Sequence, residues 1–174
     1  MPTAVRKQLV LPYDADAIPA VQPWLAALED TRRRTWEALE NLPDAALEWS
    51  DEEGTTISSL LYHIAAIELD WLFADILNLP FPPEIEQSFS IDVRDDQGKL
   101  SAIRGETLEQ HRVRLDRVRS YLISSLQEMS PPEFVRVRHL PDYDVSPLWV
   151  LHHLMQHEAE HRGQIMALRA RASL

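Results

Sequence analysis

The chain has 174 residues, 45% of them hydrophobic and 26% charged, a length and composition typical of one folded domain rather than a disordered segment. Its 17 Lys and Arg residues are outnumbered by 28 Asp and Glu residues, and the formal charge of −11 argues against a nucleic-acid-binding protein. Because cysteine is absent, disulfide bonds, thiolate metal ligands and a cysteine nucleophile are excluded.

Helical hydrophobic periodicity recurs along the chain and is interrupted by proline-rich segments. Either Thr55 or Thr56 is suited to cap the second of the resulting helices, and Ser146 followed by Pro147 is a favoured start for the last. The pattern predicts four helices, at approximately residues 18–41, 56–77, 104–129 and 146–170.

The remaining segments lack helical periodicity. Residues 84–98 show no sustained period, and we interpret them as a long connection between the second and third helices. Apolar and polar residues alternate over 134–139, and residues 7–13 also fit an extended conformation, so short strands are possible in both places. The sequence as a whole predicts an all-α fold, a single four-helix-bundle domain of residues 1–174 with a long connection between helices two and three.

Histidines are concentrated in the last predicted helix, which holds four of the chain's seven within ten residues. His153, His157 and His161 recur at every fourth position and therefore lie along one helix face. Two imidazoles one turn apart can bind one divalent cation, but the outer two would be about 12 Å apart at ~1.5 Å rise per residue. A single-metal site would therefore use two neighbours of the series and a third ligand from another helix.

The second helix supplies a candidate for that third ligand, His63. Its helical neighbours Leu60, Ala66 and Ile67 are apolar, so its side chain is expected to point into the core. A lone core histidine is usually held by hydrogen bonds through its ring nitrogens. Opposite a His-x-x-x-His pair the metal interpretation is favoured, because three buried imidazoles without a cation would leave ring nitrogens poorly satisfied.

These elements resemble the DinB superfamily, bacterial four-helix-bundle proteins identified as metalloenzymes, which include thiol-dependent transferases. The resemblance covers roughly residues 20–170, and it includes Trp49–Ser50–Asp51–Glu52 before helix two and Leu148–Trp149 at the start of helix four. Its most specific parts are the helix with His63, Glu68 and Trp71 and the downstream sequence His157–Glu158–Ala159–Glu160–His161–Arg162–Gly163–Gln164–Ile165.

The resemblance implies that His63, His157 and His161 are the metal ligands. His153 would then lie one turn above the metal, where it would line the pocket or hydrogen-bond to a ligand. His152 points away from this face and is interpreted as a surface or interhelical residue.

Other charged and aromatic side chains are expected in solvent, in the core or near the metal. Glu158 is expected to be a solvated charge, no role is attached to Glu160, and Glu68 is either an orienting carboxylate at the pocket edge or an exposed helix charge. Trp71 and Trp149 would pack in the core or form the floor of a pocket near the metal. We expect Arg32–Arg33–Arg34 to form a solvated face. The third helix contributes four arginines, Arg112, Arg114, Arg117 and Arg119. Pairing of these arginines with carboxylates is favoured, and attraction of an anionic substrate is the alternative.

Three neutral imidazoles suit Zn, Ni or Fe(II) better than Mg or Ca. The function implied by the resemblance is a metal-dependent transferase or isomerase that uses a low-molecular-weight thiol on a small-molecule substrate. A metal-dependent hydrolase and a non-enzymatic, stress-related metal or small-ligand binder are the alternatives. We expect no nucleic-acid or membrane partner and a cytoplasmic location, and a homodimer is possible.

Overall fold

The computed structural model describes residues 6–50, 52 and 54–172, most of them helical. The helices are α1 (Gln22–Ala38), α2 (Asp44–Leu47), α3 (Ile57–Asp70), α4 (Pro83–Glu86), α5 (Leu108–Leu126), α6 (Pro131–Val135) and α7 (Pro147–Ala172), and a π-helical segment (Trp71–Leu77) continues α3. The strands are β1 (Lys7–Leu9), β2 (Arg138–His139) and β3 (Tyr143–Val145).

The four predicted helices are present as α1, α3 with its π segment, α5 and α7. Thr56 rather than Thr55 caps α3, since its side chain accepts a hydrogen bond from the Ser59 amide. The hydroxyl of Ser146 accepts from the Trp149 amide at the start of α7, as the sequence predicts. α1 begins four residues later than predicted because Pro19 disfavours a helical conformation for the residue before it.

The all-α prediction holds in part: the structure is mostly helical, and a small three-stranded sheet accompanies the helices. β3 lies between the other two strands, parallel to β1 and antiparallel to β2. The alternating stretch 134–139 is divided, because its first two residues end α6 and its last two form β2. The short sheet joins the beginning of the chain to the segment that leads into α7.

The core is formed where the long helices face one another. α7 packs against α1 and α3, and α3 also packs against α5. Inward-facing leucines on all four are almost completely buried: Leu28, Leu60, Leu61, Leu115, Leu122 and Leu151. Within the described residues, no helix is long and apolar enough to cross a bilayer.

A buried ion-pair network crosses this core, and each of the four long helices contributes one member. Glu68 of α3 and Glu158 of α7 each pair with both Arg32 of α1 and Arg119 of α5, at N–O distances between 2.7 and 3.1 Å. All four residues are 4% exposed or less. The network neutralises its own charge, and it ties the helices together at one level of the fold.

This network corrects three predictions made from helical position. Glu158 is not a solvated charge, Arg32 does not belong to a solvated face, and Glu68 is neither exposed nor at a pocket edge. Helical position and charge together had placed these residues in solvent or at its edge. The favoured pairing of the α5 arginines is present for Arg119 and for Arg114, which binds Glu106.

Candidate metal centre

Three imidazoles from two helices meet beside the core. His63 is on α3, and His157 and His161 are one turn apart on α7. Nε2 of His157 lies 3.1 Å from Nε2 of His63 and 3.0 Å from Nε2 of His161. The three ligand atoms all lie within 4.8 Å of one another, so the group could hold a metal ion.

The spacing of these nitrogens fits a shared cation. Two imidazole nitrogens that bind one Zn²⁺ at about 2.0–2.1 Å are roughly 3.0–3.4 Å apart for bond angles between octahedral and tetrahedral values. The two distances at His157 lie in this range. The possible donors are three imidazole nitrogens. His157, which the sequence allowed to pair with either His153 or His161, contacts both His63 and His161.

Hydrogen bonding supports the same interpretation. Nδ1 of His161 lies 2.7 Å from Oε1 of Gln164, and an amide oxygen only accepts, so Nδ1 carries the hydrogen and Nε2 of neutral His161 presents a lone pair. Nε2 of His157 carries one hydrogen at most. The His157–His63 and His157–His161 contacts therefore share at most one well-directed hydrogen bond when the rings are neutral. A divalent cation between the rings would instead accept a lone pair from Nε2 of each.

The surroundings of His63 and His157 favour their neutral forms. Burial lowers the pKa of His63 to about 4, and the charges of His161 and Arg94 act in the same direction. Burial and the neighbouring histidines lower the pKa of His157 to about 3. Nδ1 of His63 is buried without a hydrogen-bond partner among the described residues. Neutral imidazoles are the form that binds metal, so the site is prepared for a cation near neutral pH.

His153 lies next to this centre in an aromatic cluster. The centroid of its ring is 5.8 Å from that of His157. The ring stacks on Trp149 at a centroid distance of 4.9 Å and meets Trp71 edge-on at a centroid distance of 5.2 Å. Burial lowers the pKa of His153, with an opposing effect from Glu160. Trp71 and Trp149 therefore hold a fourth, neutral imidazole beside the three that converge.

A cavity of about 450 Å³ lies beside α3, beginning about one turn beyond His63. One wall is α3, and the other is the connection between the π segment and α5, which the sequence had identified only as a long irregular segment. Four of the apolar lining residues are Ile67, Phe81, Phe89 and Ile91. The volume is in the usual range for small-molecule sites.

The structure brings together the three histidines proposed as ligands and places His153 beside them. His152 is half-buried on α7, and its Nδ1 has no hydrogen-bond partner among the described residues. Sequence reasoning gave Gln164 no individual role, although its position three residues after His161 on a helix was a signal for such contact. The cavity could not be found in this way, because its second wall lies in an aperiodic segment.

A family model for the DinB superfamily matches residues 27–165. No curated protein matches the chain. The matched range contains the three converging histidines, their two helices and all four members of the buried ion-pair network. Of the flanking elements in the resemblance, Asp51 lies outside the described residues. The match spans well over half of the chain, and the protein therefore belongs to the DinB superfamily.

Proposed function

We propose that the protein is a metal-dependent enzyme whose ion is held by His63, His157 and His161. The convergence of three Nε2 atoms, two of them at distances expected for ligands of one ion, is the observation that carries this proposal. The donor set favours Zn, Ni or Fe(II), because imidazole nitrogen suits these ions better than Mg or Ca. With no carboxylate among the three ligands, the ion would keep its full charge.

The reaction that we propose is transfer or isomerisation with a low-molecular-weight thiol. A divalent ion bound by three neutral imidazoles would acidify a thiol or a water molecule at the site. The chain contains no cysteine, so the sulfur nucleophile would come from a separate small molecule. The thiol would lose its proton, the thiolate would attack an electrophilic carbon, and the leaving group would depart with the electron pair of the broken bond.

The residues around the centre have distinct roles in this scheme. His153, kept neutral by burial and held against Trp149, would accept the thiol proton. Gln164 would fix the ring of His161 so that Nε2 faces the ion. The cavity beside α3 would bind the organic body of the substrate and reduce its exposure to water.

The first experiment measures metal content per chain on tag-free protein by mass spectrometry. Near-stoichiometric Zn, Ni or Fe is expected in the wild type and in His153→Ala, and it should be lost in His63→Ala and His157→Ala. His153→Ala is the matched control, because it removes an imidazole from the same helix without removing a proposed ligand. A protein that takes up no metal even after reloading would contradict the proposal.

The reaction class is tested separately on metal-loaded protein. Loss of a monohalobimane that requires an added thiol, and that His63→Ala abolishes, would support transfer. Turnover of an ester or amide without thiol would instead identify a hydrolase. If His63→Ala lowers only the melting temperature and neither assay gives turnover, the protein is a binder in which the metal braces the fold.

We further propose that residues 1–174 form one domain. In this proposal α1, α3 with its π segment, α5 and α7 correspond to the four helices of a DinB-type bundle. The packing of α7 on α1 and α3, and of α3 on α5, supports this assignment. Limited proteolysis that releases no smaller stable fragment would agree with it.

A further inference from the structure

The cavity beside α3 continues the helix face that carries His63. Its wall includes Ala66 and Ile67, three and four residues after His63, and Asp70 one turn further. Residues at these spacings lie on one side of a helix. The cavity therefore begins about one turn beyond His63 on the same side of α3 and runs towards the π segment, and the three histidines are not among its lining residues.

The charged lining of the cavity is unbalanced. Three carboxylates, those of Asp70, Glu86 and Asp92, face one guanidinium, that of Arg94. Arg94 donates to the carbonyl oxygen of Gly98 at 2.7 Å instead of pairing with them. Among the described residues, none of the three carboxylates has an ion-pair or hydrogen-bond partner. The three carboxylates are exposed to solvent, and the walls between them are apolar.

Asp70 shows how such a carboxylate is placed. Its side chain can be reached from solvent, yet burial raises the pKa of its carboxyl group. Both observations agree with a position in a concave wall, open to a small molecule but surrounded by protein atoms. An unpaired carboxylate in that setting is destabilised by partial desolvation, and a cationic partner would stabilise it.

Asp70 lies at the end of this wall that is further from the three histidines. It follows His63 by seven residues on α3, which is about 10 Å along the helix at ~1.5 Å rise per residue.

We propose that this cavity selects a substrate with an apolar body whose remote end carries a positive charge, such as a primary ammonium group, beside Asp70. The inference rests on the proposed function, since the reacting end of that substrate would face the three-histidine centre. Phe81 and Phe89 would contact the apolar body. An anionic substrate of the same size would meet the unpaired carboxylate of Asp70 at its remote end.

The experiment compares three probes that share one aromatic body: benzylamine, benzyl alcohol and benzoate. Each is titrated into isotope-labelled protein at neutral pH, and binding is followed by the amide shifts of the cavity residues. Benzylamine is expected to bind about tenfold more tightly than the other two, the effect of one charge-assisted contact. Equal or tighter binding of benzoate or benzyl alcohol, or no binding by any of the three, would overturn the proposal.

Variants separate the cavity from the general attraction of an acidic protein for cations. Asp70→Asn should weaken benzylamine binding by about tenfold and remove the preference over benzyl alcohol. Asp116→Asn is the matched control, because it removes an exposed carboxylate from α5 away from the cavity, and it should leave binding unchanged. Equal weakening by the two variants would show that overall charge, and not this cavity, attracts the amine.

The same samples distinguish the two proposals. An amine can also bind a metal ion directly, but that contribution would persist in Asp70→Asn and disappear in His63→Ala. If the protein retains metal but shows no preference for benzylamine, the cationic substrate is refuted and the metal centre stands. If benzylamine binds at Asp70 in a protein that never takes up metal, the cavity assignment stands and the metal-dependent function is refuted.

Discussion

The substitution Glu68→Gln tests whether the buried ion-pair network holds the four long helices together. Glu68 accepts hydrogen bonds from Arg32 at 2.9 Å and from Arg119 at 2.7 and 2.9 Å. Glutamine has the same shape but no charge, so two guanidinium groups would remain buried with only Glu158 to compensate them in the core. Removing one partner of a buried ion pair costs about 3–5 kcal/mol.

For a chain of this length, that loss in the free energy of unfolding corresponds to a melting temperature lowered by roughly 6–20 °C. Thermal and urea unfolding followed by circular dichroism would measure it. Asp30→Asn is the matched control, because Asp30 pairs with Arg33 and Arg34 on the exposed face of α1, where ion pairs contribute little. If both variants melt at the same temperature, the reasoning about the network is refuted.

A combined variant identifies the source of the cost. Replacing all four members with apolar residues of similar size removes every charge of the network at once: Arg32→Met, Glu68→Leu, Arg119→Met and Glu158→Leu. Its stability should be closer to that of the wild type than that of Glu68→Gln, because no charge is left unpaired. A combined variant less stable than Glu68→Gln would show that the network contributes through its own attraction.

Three further predictions concern histidines and their partners. Gln164→Ala should weaken metal affinity by about 10- to 100-fold, because it removes the hydrogen-bond partner of Nδ1 of His161. Competition with a chromogenic chelator would measure this loss. Gln156→Ala, on the exposed side of α7, should leave metal affinity unchanged. His153→Ala should keep the metal and lower the turnover of thiol with a monohalobimane by about 10²-fold or more, and an unchanged rate would remove this residue from the proton-transfer role. Burial lowers the pKa of the fully buried His111 from its ordinary value of 6.5 to about 4. Its contribution to stability is therefore complete above pH 6.5 and is lost as the pH falls towards 4. Urea midpoints across this range should fall less steeply in His111→Gln than in the wild type.

Much of the candidate site could be predicted from the sequence because its ligands follow helical spacing. The four-residue step between His157 and His161 places both rings on one face of any helix that contains them. His63 could be placed towards the core from its apolar neighbours. Which pair of α7 histidines meets His63 did not follow from periodicity; the resemblance to the DinB superfamily selected it, and the convergence of the three rings agrees with that choice.

The charged core shows where the same reasoning failed. Glu68, Glu158 and Arg32 were placed in solvent or at its edge because isolated charges are rarely buried. Their burial depends on partners 36 to 126 residues away in the chain, and no local pattern reports such a pairing. A charged residue on the core side of one helix can be assigned an ion-pair partner only when it is known which residue of another helix faces it.

The sequence by itself determined the four long helices, the cap of α7 and the histidine spacing, because each depends on interactions between residues within a few positions of one another. The tertiary structure alone decided which charges are neutralised in the core, how the short strands pair, and that the aperiodic connection after the π segment forms the second wall of a cavity beside α3. These features arise from contacts between segments distant in the chain, whose geometry is fixed only when the helices pack.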